Sequence, residues 1–176
     1  MRNAALGGLR PEDARFLDSL VTDYGPRLLA YVRHIDRNPQ DAEDVVAEVF
    51  CRAAHNMAGL RRTNRPDLYL IAAARNLCRD RLRRRSTSQL TDGAYRDCVD
   101  SAVRPHHAAE YAEQLELLRA AVCELPESLR DVVVLGLSTG LRFEDIAELL
   151  NVPLGTALSR MHIAVEQLRA KLGVSV

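Results

Sequence analysis

The side chains of this chain that are best suited to chemistry are charged, and the two signs occupy separate stretches. An acidic cluster comes first and consists of Asp41, Glu43, Asp44 and Glu48. An arginine-rich stretch follows, in which only Asp67 and Asp80 are acidic; its arginines are Arg61, Arg62, Arg65, Arg75, Arg79, Arg81, Arg83, Arg84 and Arg85. Because the whole chain has no net charge, this segregation indicates two partners, one basic and one anionic. Solvated helix faces without a partner are the plainer alternative.

Histidine, cysteine and carboxylate side chains do not combine into a metal-site or catalytic pattern. No cysteine or carboxylate stands at ligand spacing from any of the five histidines, which are His34, His55, His106, His107 and His162. The four cysteines form no C-x-x-C pair, and Cys51 and Cys78 fall among apolar helical positions, which predicts small buried side chains. No histidine or lysine accompanies the acidic cluster on its helix face, so an enzyme acting on nucleic acid is disfavoured. We expect no metal ion and no cofactor.

The composition favours a helical, folded protein. Hydrophobic residues make up 47% of the 176 residues, aromatic residues only 5%, and tryptophan is absent. These values disfavour general disorder and a β-sandwich or barrel. Residues 1–10 lack the apolar core of a signal peptide, and no apolar run approaches the roughly 20 residues of a membrane helix. We therefore expect a cytoplasmic protein.

Apolar periodicity predicts three helices in the first half of the chain. Spacings of three and four residues place them over 12–35, 40–57 and 67–85, with the first broken near Gly25-Pro26. Glycine, asparagine and proline predict a loop over 58–66. The third helix is expected to bury Ile71, Ala74, Leu77, Cys78 and Leu82. The arginines of that helix must then point outward.

A stretch without periodicity separates these helices from a second helical module. Serine, threonine, aspartate, glycine and proline dominate it, which is typical of a linker. We predict an all-α fold with one domain over 10–86, a linker over 87–111 and a second domain over 112–174. The second domain is expected to hold helices over 110–124, 127–138, 143–150 and 154–172, the last packing Ala157, Met161, Ala164, Leu168 and Leu172 inward. The two short helices around a tight turn at 151–153 read as a helix-turn-helix.

The second module resembles region 4 of the extracytoplasmic-function (ECF) sigma factors. The resemblance lies in Leu125-Pro126 with Arg130, then Glu144 to Leu150, then Val152-Pro153-Leu154-Gly155-Thr156. It implies that the last helix reads the −35 DNA through Thr156, Leu158, Ser159, Arg160, His162 and Ile163. The family commonly has basic residues where Leu158 and Ile163 stand. The plainer interpretation is sequence variation, with contacts still supplied by Arg160, His162 and Arg169. The alternative is that the −35 contact is weak or that a protein partner covers this face.

The first module is similar to region 2 of the same family. The similarity lies in residues 41–50, in Tyr69 to Asn76 and in Asp80 to Arg85, although the family has tryptophan where Tyr69 stands. It implies that the acidic cluster docks on a coiled coil of the RNA polymerase largest subunit. It also implies that loop 59–65 captures a flipped −10 base. The −10 contacts are expected from Arg61, Arg62, Asn64, Tyr69, Arg75, Asn76, Arg79, Arg83 and Arg84.

The two resemblances, in order along one chain, imply a sigma factor. Such a subunit binds core RNA polymerase and promoter DNA, is commonly controlled by an anti-sigma factor, and leaves catalysis to the polymerase. A stand-alone helix-turn-helix regulator is the second reading. That class would need neither the acidic helix nor the arginine-rich helix.

Overall fold

The computed structural model describes residues 10–35, 38–88 and 109–173. All regular secondary structure in these ranges is helical, which confirms the predicted all-α class. The helices are α1 (Pro11–Ile35), α2 (Pro39–His55), α3 (Met57–Arg62), α4 (Pro66–Ser88), α5 (Ala109–Cys123), α6 (Glu127–Thr139), α7 (Phe143–Leu150) and α8 (Leu154–Leu172). The chain divides into two compact units, residues 1–88 and 89–176. Within the described ranges, no helix combines the length and the apolar character needed to cross a membrane.

The predicted linker lies mostly outside the described residues. Its two ends are helical rather than irregular, because α4 continues to Ser88 and α5 already begins at Ala109. The boundaries 10–86, 87–111 and 112–174 remain predictions.

The first unit is built on α1, α2 and α4, which pack against one another around an apolar core. The largest fully buried side chains on α1 are Leu28, Tyr31 and Val32, and α2 and α4 add Val45, Val49 and Leu70. The start of α2 follows from local chemistry. Asn38 caps it by accepting a hydrogen bond from the Gln40 N–H at 3.0 Å, and Pro39 occupies the first turn, where its missing N–H costs nothing.

Helix α1 passes through Pro26 without ending, so the predicted break near Gly25-Pro26 is wrong. Proline removes the hydrogen bond that the Thr22 carbonyl would otherwise accept. Thr22 and Pro26 are both exposed, so water can solvate that carbonyl. Leu20 and Leu28 are buried on either side. Packing on both sides of the proline therefore holds the helix together.

A short helix occupies most of the segment predicted as a loop. Met57–Arg62 is α3, and its Met57 and Leu60 are buried. The two residues are three apart and therefore share a face. This burial overrides the low helix propensity of Gly59. The irregular part of the predicted loop reduces to residues 63–65.

The inward face of α4 differs from the prediction at one position. Ile71, Ala74, Leu77 and Cys78 are buried, but Leu82 is 37% exposed. Arg81 takes the inward position instead, because its Nη1 donates to the Asp41 carbonyl at 3.0 Å. Leu82 is rotated by about 100° from Arg81 around the helix. On α2, Cys51 is half-buried rather than buried.

The second unit confirms the predicted helices and the turns between them. Helix α8 packs against α5, α6 and α7. Gly140 ends α6 with φ 67°, a left-handed conformation that glycine adopts without steric cost. Asn151 ends α7 with φ 53°. Ala157, Ala164 and Leu168 of α8 are buried as predicted, Met161 is half-buried, and Leu172 is 36% exposed because it ends the helix.

Candidate nucleic-acid interface

The acidic cluster lies on α2, where the structure gives part of its charge internal partners. Glu43, Asp44 and Glu48 are exposed, whereas Asp41 is half-buried. Glu43 pairs with Arg33 of α1 at 3.5 Å, and Glu48 with Arg52 one turn along α2 at 2.8 Å. These pairs are exposed, so each contributes little to stability and can open when a basic partner arrives. We call Asp41, Glu43, Asp44 and Glu48 the acidic face.

A shallow groove of about 460 Å³ runs between α2 and α4 beside this face. It is lined by Asp44, Ala47, Glu48, Cys51, Arg52, Leu77, Asp80, Arg81 and Arg84. The sequence suggests two separate charged surfaces, but the packing of α2 on α4 makes them neighbours. Arg84, expected to bind DNA, therefore shares a groove with two members of the acidic face.

The outward side of α4 brings together several of the predicted −10 residues. At about 100° per residue, Tyr69, Asn76, Arg79 and Arg83 fall within one strip along the helix, about 21 Å long. Asn76, Arg79 and Arg83 are exposed and Tyr69 is half-buried. The Arg83 Nη2 lies 3.4 Å from the Asp80 Oδ1. We call these four residues the α4 strip.

The remaining arginines predicted to contact DNA differ in how far they reach solvent. Arg75 is half-buried, so the expectation that all α4 arginines point outward fails there as it does at Arg81, since both lie nearer the packed side of the helix. Arg62 and Asn64 are exposed. The Arg61 side chain instead turns back to α1, where its Nε donates to Asp13 at 2.8 Å.

Asn56, at the junction of α2 and α3, contacts the α4 strip and was missed by sequence reasoning. Its Nδ2 donates to the Tyr69 hydroxyl at 3.2 Å. Gly59 makes room for this side chain, because a Cβ at Gly59 would lie 2.6 Å from the Asn56 Oδ1. The glycine in the predicted loop was the available signal, and it marks a close approach rather than a turn.

In the second unit, Arg130 explains the Leu-Pro-x-x-x-Arg pattern. The Arg130 guanidinium donates to the carbonyls of Cys123 at 2.8 Å and Leu125 at 2.6 Å, with a longer contact to Val122 at 3.4 Å. The Cys123 carbonyl lies in the last turn of α5 and the Leu125 carbonyl in the turn that follows, where the helix offers no further N–H. Arg130 therefore supports the frame of the helix-turn-helix.

The start of α7 is fixed by its own first turn. Asp145 is buried, and its carboxylate accepts a hydrogen bond from the Arg142 N–H at 3.3 Å. This arrangement satisfies a backbone donor that the helix leaves unpaired. After α7, Val152 donates to the Ala147 carbonyl at 3.0 Å, which closes the turn that leads into α8.

The outward side of α8 is nearly neutral. With Ala157, Ala164 and Leu168 facing inward, the helical period places Gly155, Ser159, His162 and Glu166 on the opposite side. Thr156 and Ile163 lie on one flank, and Leu158 on the other. Leu158 and Ile163 are 45% and 44% exposed, and they are about 140° apart around the helix.

The cations of α8 are partly engaged within the second unit. Arg169 pairs with Glu166 at 3.2 Å, and Lys171 pairs with Glu124 at the end of α5. Arg160 is half-buried and Ser159 and His162 are exposed. The predicted −35 residues therefore lie around one helix, but they present little positive charge to a phosphate backbone.

Adding charge to this helix is expected to strengthen duplex binding. In the full chain, the double variant Leu158→Arg, Ile163→Arg should bind a mixed-sequence duplex more tightly. Each new phosphate contact should also steepen the salt slope, the decrease of log affinity with log salt concentration, by about 0.9. Fluorescence anisotropy at several salt concentrations measures both. A matched Leu115→Arg, Leu117→Arg variant on exposed positions of α5 is the control. Tight binding by the unaltered chain, or no gain from the arginines on α8, would contradict a weak −35 contact.

The geometry defines a class of protein: two helical units in one chain, the first with an acidic face and an arginine-bearing strip, the second with a helix-turn-helix. Comparisons with known proteins agree. Residues 20–87 match the Sigma-70 region 2 family. The chain is 31% identical to the ECF RNA polymerase sigma factor EcfG of Rhodopseudomonas palustris (strain TIE-1), covering 85% of this chain and 81% of that one. It is 30% identical to the ECF sigma factor SigW of Bacillus subtilis (strain 168), covering 77% of each.

Solved structures share the fold. The sigma factor RpoE from Bartonella quintana, in complex with the anti-sigma factor NepR, matches with a TM-score of 0.75 and 24% identity, covering 92% of this chain and 99% of that one. CnrH, in complex with the cytosolic domain of CnrY, matches with a TM-score of 0.67 and 21% identity over 99% of this chain and 96% of that one. The chain belongs to the ECF family of RNA polymerase sigma factors.

Proposed function

We propose that this chain is an alternative sigma factor that binds core RNA polymerase and directs it to particular promoters. The observation that carries the proposal is the union, in one chain of this family, of the acidic face, the α4 strip and the helix-turn-helix. The chain supplies recognition, and the polymerase supplies the chemistry of RNA synthesis. The chain acts in the cytoplasm, together with the polymerase.

In this proposal the first unit holds the melted −10 strand. Arg79 and Arg83 contact phosphates, Asn76 donates or accepts a hydrogen bond on the strand, and Tyr69 offers an aromatic ring on which a base can stack. Arg62 and Asn64 lie at the segment expected to receive a flipped base. The helix-turn-helix of the second unit places α8 in the −35 major groove.

We also propose control by an anti-sigma factor. The RpoE structure contains the anti-sigma factor NepR, and the CnrH structure contains the cytosolic domain of CnrY. In this chain, the exposed Leu158 and Ile163 give α8 apolar surface that a protein partner can bury. A partner on α8 would compete with −35 DNA.

Run-off transcription with purified core polymerase on a fragmented genomic DNA library tests the function. A sigma factor should yield discrete transcripts that depend on the added chain, and the transcripts identify its promoters. A stand-alone helix-turn-helix regulator would neither bind core polymerase nor start transcription with core alone, so this outcome would overturn the proposal.

Charge reversal on the acidic face is expected to weaken core binding. Asp44→Lys with Glu48→Lys removes two attractive contacts with a basic partner, each worth about 0.2–1 kcal/mol, so affinity should fall about two- to thirtyfold. Both side chains are exposed, so helicity should be unchanged. Asp18→Lys with Asp23→Lys, on exposed α1 positions, makes the same charge change elsewhere. Equal affinity of the two variants for core polymerase would argue against docking through α2.

A further inference from the structure

Asp13 is a buried acidic residue of the first unit, and two arginines hold it. It is 5% exposed, and it accepts hydrogen bonds from the Nε atoms of Arg61 at 2.8 Å and Arg10 at 3.1 Å. Burial alone would raise the pKa of Asp13, but the hydrogen bonds from Arg61 and Arg10 outweigh it and leave the pKa below its ordinary value of 3.8. The carboxylate is therefore charged in the folded chain.

Arg61 makes three kinds of contact with α1. Besides the bond to Asp13, its Nη2 donates to the Glu12 carbonyl at 2.9 Å, and its guanidinium lies 5.0 Å from the centre of the Phe16 ring. The ring supports one side of the cation while the two hydrogen bonds fix its edge. Together these contacts determine both the position and the plane of the guanidinium.

These contacts hold a helix that has little else to position it. Helix α3 has six residues and buries only two side chains, Met57 and Leu60. A helix of this length is not stable on its own. Its first end is tied to Tyr69 through Asn56, and its last turn is tied to α1 through Arg61. The pair is buried on the Asp13 side only, since 40% of the Arg61 side chain is exposed, and its two hydrogen bonds give the contact a defined geometry.

We infer that Asp13 and Arg61 form an internal clasp that positions α3, so that Arg62 and Asn64 are presented to the −10 strand, and that Arg61 does not itself contact DNA. The inference rests on the proposed function and revises one expectation from the sequence, which placed Arg61 among the DNA contacts. Arg62 and Asn64 follow the clasp directly and are exposed. Asp13 and Arg61 are then positioning residues.

Hydrogen exchange on the full chain tests the clasp without any DNA. In Asp13→Asn and in Arg61→Ala, the amides of 57–65 should exchange at least tenfold faster than in the wild type, while those of α2 should be unchanged. Arg15→Ala, which removes an exposed arginine of α1 near the clasp, should leave all of these rates unchanged. Wild-type rates over 57–65 in both clasp variants would overturn the inference.

The pH dependence of folding adds a second readout. Because the pKa of Asp13 is lower in the folded chain, its charge stabilises the fold above pH 3.8, and this contribution is lost as the pH falls through the lowered value. The Asp13→Asn variant should not show this decrease in stability, because its side chain carries no charge. An identical acid profile in the wild type and the variant would count against a charged clasp.

Binding of polymerase holoenzyme to a single-stranded −10 oligonucleotide, taken from a promoter found by run-off transcription, tests the consequence for function. Asp13→Asn and Arg61→Ala should each weaken binding about tenfold, leave the salt slope unchanged and have no additional effect together. Arg62→Ala should lower the slope by about 0.7, as expected for one phosphate contact on a single strand.

Two other outcomes would separate a failure of the clasp from a failure of the proposed function. A lower slope in Arg61→Ala, with normal binding by Asp13→Asn, would show that Arg61 contacts phosphate and would overturn the clasp. No binding by wild-type holoenzyme would instead count against the proposed function, and hydrogen exchange would still decide whether the clasp exists.

Discussion

Replacing Arg130 with alanine is expected to destabilise the second unit by about 3 kcal/mol. The guanidinium makes two short hydrogen bonds to carbonyls at the end of α5, those of Cys123 and Leu125. Hydrogen bonds to a charged group contribute about 1.5–3 kcal/mol each, and the carbonyls left behind have no helical donor. Leu125 is almost fully buried beside them, so water reaches this region poorly. Arg130→Lys should recover only part of the loss, because an ammonium group cannot reproduce the planar fork of a guanidinium.

Urea unfolding followed by circular dichroism measures the loss, and hydrogen exchange assigns it to the second unit. Tryptophan fluorescence is not an option, since the chain contains no tryptophan. Arg119→Ala is the matched control, because that arginine forms an exposed pair with Glu116 one turn away and should change stability by less than about 0.5 kcal/mol. If Arg130→Ala unfolds at the same urea concentration as Arg119→Ala, Arg130 is not a structural support.

Removing two arginines of the α4 strip is expected to reduce the salt dependence of −10 binding. Each phosphate contact on a single strand contributes about 0.7 to the slope, so Arg79→Ala with Arg83→Ala should lower it by about 1.4. Affinity for the −10 oligonucleotide should fall at every salt concentration, and most at low salt. Arg84 is left in place because it lines the groove with Asp44 and Glu48, where its removal would also change the proposed docking surface.

Arg15→Ala with Arg27→Ala provides the control for this prediction. Both arginines are exposed on α1, so the net charge changes equally while the α4 strip stays intact. Core polymerase binding should be normal in both double variants. A slope that falls equally in both would mean that general charge, and not the α4 strip, governs DNA affinity.

The helical pattern could be predicted from the sequence because apolar periodicity and turn residues agree in most places. Gly140 and the turn at Asn151 mark the helix-turn-helix correctly, since each is a left-handed position that ends a helix. The failures occur where packing overrides local preference. Pro26 lies within a continuous helix because α1 is buried on both sides of it, and α3 forms in a glycine-containing segment because Leu60 is buried.

The candidate site was less predictable, because residue type does not reveal which partners a charged side chain has. Four arginines illustrate the point. Arg79 is exposed on the α4 strip, whereas Arg61 turns to Asp13, Arg81 to the Asp41 carbonyl, and Arg130 to the end of α5. The partners of Arg61, Arg81 and Arg130 lie from 5 to 49 residues away, and only the folded structure brings them together. Asn56 was missed for the same reason, since Tyr69 is 13 residues further along.

If the proposed docking and DNA-binding roles hold, the groove between α2 and α4 links the two binding events thermodynamically. Arg84 and the acidic pair Asp44 and Glu48 line the same groove. Charges that line one groove influence one another where they lie within the Debye length, about 8 Å at physiological ionic strength. A basic partner that engages the acidic pair raises the potential that Arg84 presents to a phosphate. Coupling free energies are reciprocal, so a promoter strand bound near Arg84 would then increase the affinity of α2 for that partner by the same factor.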